Sequence, residues 1–447
     1  MATLQISTGR ADITPPIGSI MVGYGVDTPR LATGVHRPLQ ARCSVLWDDG
    51  FPNVIVTVDT LAFGHTLHQS IRDKVGALGV GTSDFVLCAS HTHSGPALPE
   101  KLEPYIAYNA TSAQRTRIAA VGTALADTVV QLVADTLNGD RTTCTLDYKV
   151  GTAGFAVNRE AMGYLERDVP VLVARSAAGD PLAILFGYGC HPVAAGGQSM
   201  LDPDFPGAAA ERIEASTDAL AQFVLGPSGD QDPAGASGLP LVEALGAQLA
   251  GAVTTAAATP GRALAGPVLT GLSTVSLPLD ITNTPANLAA VRSLYTIRQA
   301  NAGLPGYYRR HATRMIQQID ARSFATTVPL PLQVWKLSGN PGLRIAFSGG
   351  EVVSGFGAYF RTLFGGSTRV WFATGGNETP CYIPSDEILN RTVSYAAGKD
   401  ADYPGLAGGS MTVYAYLGHF RGKPTPASPD GVEQIYINAL RAMLGTP

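Results

Sequence analysis

The sequence predicts an α/β protein: a central, mostly buried mixed sheet flanked by helices, in one large domain. Three observations carry that expectation. Runs rich in Val, Ile and Leu recur at 54–58, 85–90, 169–174, 182–187, 222–225, 343–348 and 369–373, and short continuous apolar runs suit strands covered on both faces. Helical spacing lies between several of them. In 112–137, Ile118, Val121, Leu125, Val129 and Leu132 fall on one face, after Ser112 as a candidate cap and before Asn138-Gly139 as a stop; 239–258, 285–300 and 431–444 read the same way. Glycine- and proline-rich pieces at 14–25, 192–207, 226–240 and 400–410 read as loops over one sheet edge. No linker, repeat or shift of composition divides 1–447, so a single domain is expected, with the less patterned 262–340 an insertion or a substrate-side cap.

The composition narrows the class of protein. A 447-residue chain with 45% hydrophobic and 15% charged residues can bury a large core, which argues against disorder. A net charge of −4, a pI near 6.1 and no basic run remove the electrostatic footprint of a nucleic-acid or anionic-membrane binder. A small-molecule ligand is the expectation that remains. The N-terminal MATLQISTGR has no basic stretch leading into an apolar one, and no stretch reaches the roughly 18 uninterrupted apolar residues of a span. No stable membrane insertion and a cytoplasmic location are therefore expected. Cys43, Cys88, Cys144, Cys190 and Cys381 are odd in number, scattered and mostly within apolar stretches, which reads as buried reduced thiols.

The chemistry gathers at strand tips. The run Phe85 to Ser90 leads straight into His91, Thr92 and His93, where alternation places both imidazoles on one side. Such a pair can share a metal, divide ligation from proton transfer, or decorate a loop. A second apolar run, 183–190, ends at His191-Pro192, and a third, 343–348, passes through Gly349-Gly350 to Glu351. Glu351 can be a helix N-terminal charge, but two histidines and a glutamate at three tips make a common zinc environment. Ser228–Gly235, after the run 222–225, reads as an active-site loop, an acidic cation turn or a plain turn. Arg159 reads as a solvated arginine or an oxyanion clamp, and Asp59 as a residue that orients a histidine or caps the next helix. Tyr307 and Tyr308 read as a pocket wall or a surface turn.

At these residues the chain resembles the N-terminal catalytic domain of the neutral/alkaline (non-lysosomal) ceramidase family. The likeness runs in order through Gly9–Pro15, Gly23-Tyr24-Gly25, Gly34–Arg42, Asp59 and Ser90–Pro96. It continues through Asn158-Arg159, Cys190–Pro192, Asp204–Gly207, Gly229-Asp230 with Pro233, Gly350-Glu351 and Tyr382–Pro384. The resemblance implies a single Zn²⁺ held by His91, His191, Glu351 and Tyr382, with His93 beside it for proton transfer. It further implies active-site roles for Arg159 and for Tyr395, which is one residue displaced from the family spacing. Two departures stand out. Asp232 occupies the place of a family serine once proposed as nucleophile, and Ala396 the place of a glutamate. The family's C-terminal immunoglobulin-like domain has no counterpart, so membrane-lipid substrates are not expected.

What the resemblance implies is a zinc-dependent hydrolase that cleaves an amide, N-acyl or lactam-like, in a small molecule by metal-activated water. His93 carries the proton to the leaving atom, and Arg159 and Tyr395 steady the oxyanion. The same centre can open an ester or lactone or run as a cyclase. A non-catalytic binding protein on this fold is the reading from another class. Oligomeric state leaves no mark on the sequence.

Overall fold

The expected mixed sheet flanked by helices is present, with eight strands, and a second sheet of five strands packs on it. The computed structural model describes residues 4–99, 110–423 and 430–446. β1 (Leu4–Asp12), β2 (Gln40–Asp48) and β3 (Phe51–Val58) pair antiparallel. Helix α1 (His65–Gly76) then returns the chain so that β4 (Phe85–Ala89) lies parallel to β3. Helix α2 (Ser112–Asn138) and the short β5 (Thr142–Thr143) complete a five-stranded sheet in the order β4-β3-β2-β1-β5. The cap of α2 is Thr111 rather than Ser112: its hydroxyl accepts from the Gln114 amide while the Gln114 side chain accepts from the Thr111 amide.

The larger sheet has eight strands. They are β6 (Thr145–Thr152), β7 (Asp168–Arg175), β8 (Pro181–Tyr188), β9 (Leu220–Leu225), β10 (Arg262–Pro278), β11 (Thr327–Gly339), β12 (Leu343–Ser348) and β13 (Val370–Ala373). Their order is β9-β8-β7-β6-β10-β11-β12-β13, with β8/β9 and β12/β13 parallel and the other pairs antiparallel, so the sheet is mixed. Helix α3 (Asp204–Thr217) links β8 to β9, and α4 (Leu239–Ala257) follows β9. The loop expected at 192–207 thus ends four residues early, because Asp204 opens α3. Residues 262–340 divide. Two pieces, 262–278 and 327–339, are β10 and β11 in the middle of the large sheet; α5 (Pro285–Ala300) and α6 (Gly306–Asp320) lie between them. Helix α7 (Ser354–Phe364) connects β12 to β13, and α8 (Val432–Leu444) closes the described chain.

Alternation along each strand explains the layers. Val54, Val56 and Val58 pack with Ile71, Val75, Leu125 and Val129 of α1 and α2. Ile55, one residue out of phase, joins Leu46 and Val86 against Leu185, Trp335 and Ile345 of the other sheet. Helices α3 and α4 cover one half of the large sheet's far face and α7 and α8 the other. The order is helix, sheet, sheet, helix, so most strands are covered on both faces; a fully buried Val or Ile contributes about 1.5–3 kcal/mol. Helices α2 and α4 have the length and hydropathy of membrane spans, yet each turns an apolar face to a sheet as a core helix does. All five cysteines are buried and none is in a disulfide.

Candidate metal centre

Every strand tip singled out in the sequence arrives at the same place. β4 and β13 meet there, where the Ala89 amide donates to the Gly375 carbonyl. Just beyond β4, His91 takes a left-handed φ of +69°, an uncommon conformation for a residue with a side chain. Its amide donates to Thr60 O and its ring Nδ1–H to Leu61 O at 2.8 Å. Thr92 turns the other way, its hydroxyl donating to Asp202 O. His93 returns to the site, its ring edge-on to His91 with centroids 5.1 Å apart.

Beyond β8, His191 donates its Nδ1–H to Ser228 O at 2.6 Å, which identifies Ser228–Gly235 as a loop of this site. In the same loop Asp230 accepts from the amide and hydroxyl of Ser354 and from the side chain of Asn158, so it caps the start of α7. Glu351 follows β12, where a two-residue bridge pairs Glu351-Val352 with Tyr382-Ile383 and so places Tyr382 beside it.

Both Nδ1 atoms being spent on carbonyls, both Nε2 atoms carry lone pairs. These lone pairs face each other at 3.2 Å, and Glu351 Oε2 lies 3.1 Å from each. Three acceptors converge with no hydrogen among them, an arrangement a cation satisfies. The Tyr382 hydroxyl is 3.1 Å from His191 Nε2. Burial, with Glu351 beside it, pushes Tyr382 well above 10. His91, His93 and His191 form a buried group whose ring nitrogens lie within 4.8 Å of one another, and it can hold a metal ion.

The other expected residues form the wall above this floor. Both ring nitrogens of His93 are buried without a hydrogen-bond partner, and burial pushes its pKa well down. Gly23 packs so closely on that ring that a Cβ there would lie 2.6 Å from His93 Cγ. Arg159 donates to Tyr382 Oη at 3.0 Å and to Gly229 O at 2.8 Å, and its guanidinium lies over the rings of Tyr395 and Tyr382. A pocket of about 430 Å³ opens here, lined by His93, Arg159, Asp232 and Tyr382 with Tyr24, Tyr307, Tyr308 and Tyr395.

All seven residues expected at the site are therefore brought together, and Tyr307 and Tyr308, on the first turn of α6, are pocket wall. On sequence the pocket walls are expected from 15–30, 95–110 and 262–340; of these, 100–109 lies outside the described residues. Asp59 neither orients a histidine nor caps a helix. It accepts from the Gln40 amide and faces Arg42 at 3.4 Å, with burial pushing its pKa up to about 6. One residue escaped sequence reasoning: the Tyr414 hydroxyl donates to Glu351 Oε1.

Fold and site together define a mixed α/β protein with a buried histidine group able to hold a metal ion. The fold itself is neutral ceramidase-like. The crystal structure of neutral ceramidase from Pseudomonas aeruginosa superposes with a TM-score of 0.66 at 18% identity, over 93% of this chain and 73% of that one. A second solved structure, ceramidase complexed with C2, gives the same score and identity over 93% and 74%. No family model matches the chain.

Proposed function

We propose that the protein is a zinc-dependent hydrolase that cleaves an amide bond in a small molecule. One observation carries the reading: the Nε2 atoms of His91 and His191 and Oε2 of Glu351 lie within 3.2 Å of one another, behind the His93 and Tyr382 side chains that line a pocket, on a neutral ceramidase-like fold. These three and Tyr382 would hold the ion. When bound, zinc supplies Lewis-acid activation of water and of the scissile carbonyl near neutral pH. His93, with both ring nitrogens unpartnered beside these residues, moves the proton to the leaving nitrogen. Arg159, already on Tyr382 Oη, and Tyr395 beneath its guanidinium donate to the oxygen on which charge develops. The domain works as a unit, with α5 and α6 on the substrate side.

A second assignment of the ligands rests on His93's place in the three-histidine group: His93 as fourth ligand in place of Tyr382. Metal content of Tyr382→Phe and His93→Ala separates the two. The hydrolase reading is tested by elemental analysis of the purified chain and of His91→Ala and Glu351→Ala, alongside a panel of short N-acyl amides, lactams, long-chain ceramides, lactones and aryl esters. Stoichiometric zinc, lost in both variants together with amide turnover, is expected. A metal-free chain, or variants as active as the parent, overturns it; turnover of lactones and esters alone reassigns the bond.

A further inference from the structure

Among the described residues that line the pocket, Asp232 is the one carboxylate. It lies on the short strand Gln231–Pro233, which pairs with Ala156–Asn158, so its neighbour across the pair is the segment leading into Arg159. The two side chains stand next to each other on one wall. Asp232 Oδ1 is 3.4 Å from Arg159 Nη1, a loose contact, and the side chains keep 33% and 25% of their exposure. Arg159 commits its other terminal nitrogen to Gly229 O and Tyr382 Oη. Toward the pocket the wall thus presents a donor and an acceptor side by side.

That pairing selects among amides by geometry. A linear secondary amide is trans, with its N–H and C=O pointing in opposite directions. It can meet the donor or the acceptor of one wall, not both. An amide closed in a small ring is held cis, and its N–H and C=O point the same way, toward Asp232 and Arg159 together. The rest of the pocket suits such a ring. Among the described lining residues, Tyr24, Tyr307, Tyr308, Tyr382 and Tyr395 offer flat faces and hydroxyls, and Val193 and Val413 are the aliphatic ones, a lining that suits a flat polar ring.

We propose that Asp232 is a specificity-determining residue that accepts the N–H of a cyclic amide, a lactam, imide or ureide, while Arg159 donates to the adjacent carbonyl. The proposal rests on the amide-hydrolase reading of the same site. Opening the ring adds the oxygen of water to the carbonyl carbon and breaks the C–N bond. One water proton passes through His93 to nitrogen and the other leaves to solvent or to the product amine as the new acid ionises, so that a carboxylate and an amine or amide end in one chain.

The test is a cycle between one substrate atom and one side chain. Glutarimide, N-methylglutarimide and the linear diacetamide are assayed with the metal-loaded parent and with Asp232→Ala, and calorimetric binding of the two ring compounds is measured on both proteins. A site built around a hydrogen bond rejects the analogue that lacks it. The parent is expected to prefer glutarimide at least tenfold over both others in kcat/KM, and Asp232→Ala to lose the discrimination against the N-methyl ring. Equal kcat/KM for ring and linear compounds overturns the proposal. So does an N-methyl penalty that persists in Asp232→Ala, or a substitution that weakens all three substrates alike, since Asp232 then only braces Arg159. If no amide is turned over, the hydrolase reading fails, and the calorimetric preference for the ring N–H decides the role of Asp232 by itself.

Discussion

Gly23→Ala separates the work of His93 from the binding of metal. Gly23 sits at φ +113°, and a methyl group there would lie 2.6 Å from Cγ and Nδ1 of His93 and 2.8 Å from its Cβ. That is about 0.8 Å inside the 3.4 Å at which ordinary contact begins. The backbone conformation costs a side-chain-bearing residue about 1–3 kcal/mol. The ring must also retreat by most of an ångström, because the His93 backbone is held at both ends: its amide donates to Pro192 O and its carbonyl accepts from Arg30. A displacement of that size at a reacting group costs about 100-fold in rate. Gly23→Ala is therefore expected to lower kcat about 100-fold on the best amide of the panel and to melt earlier. It should still bind metal like the parent, since His91, His191 and Glu351 are not touched. Elemental analysis, steady-state kinetics and a thermal melt on one preparation check this. Parent-like kcat refutes His93 as the proton carrier, and loss of metal refutes its place outside the ligand set.

Three further substitutions probe the surrounding shell. Tyr414→Phe removes the hydroxyl that donates to Glu351 Oε1 and should weaken metal affinity about 10–100-fold with the fold intact, as measured by competition with a chelating dye. Arg159→Met should cost about 10²–10³ in kcat at unchanged metal content; parent-like kcat removes it from oxyanion stabilisation. Glu378 sits against His65 and His68 of α1. Burial would raise its pKa, but hydrogen bonds from His68 and Gln69 pull it down to about 2. The depressed value gives stability that is present above the unfolded value near 4.5 and is lost as pH falls toward 2. Discounted for solvent screening, it amounts to about 1–2 kcal/mol. Melting temperatures of Glu378→Gln should fall less steeply than the parent's over that range, and parallel curves would show that the carboxylate is not linked to folding.

How much of this site was legible follows from what an apolar run records. A run such as 54–58 states that both faces of a strand are covered, but not by what. Ile55 against the second sheet and Val54 and Val56 against helices look alike in sequence, so two stacked sheets read as one. Strand tips stayed legible because the tip is where such a run stops, and His91, His191 and Glu351 all stand just past one. β10 was illegible for the converse reason. Only three of its 17 residues are buried, and its Gly, Ser and Thr break the run that would have marked it. Tyr414 had no local signal, sitting in an aromatic stretch that reads as core. What points to it is a requirement rather than a pattern: Glu351 spends Oε2 on the two histidines, so its buried Oε1 needs a donor of its own. The two histidines at 91 and 93 illustrate the same limit. Alternation along a strand predicts that they share a side, yet β4 ends at Ala89 and His91 turns through a positive φ. They reach one site because Leu61 O, Thr60 O and Pro192 O fix that turn from two other segments, and contacts of that kind exist only once the chain has folded.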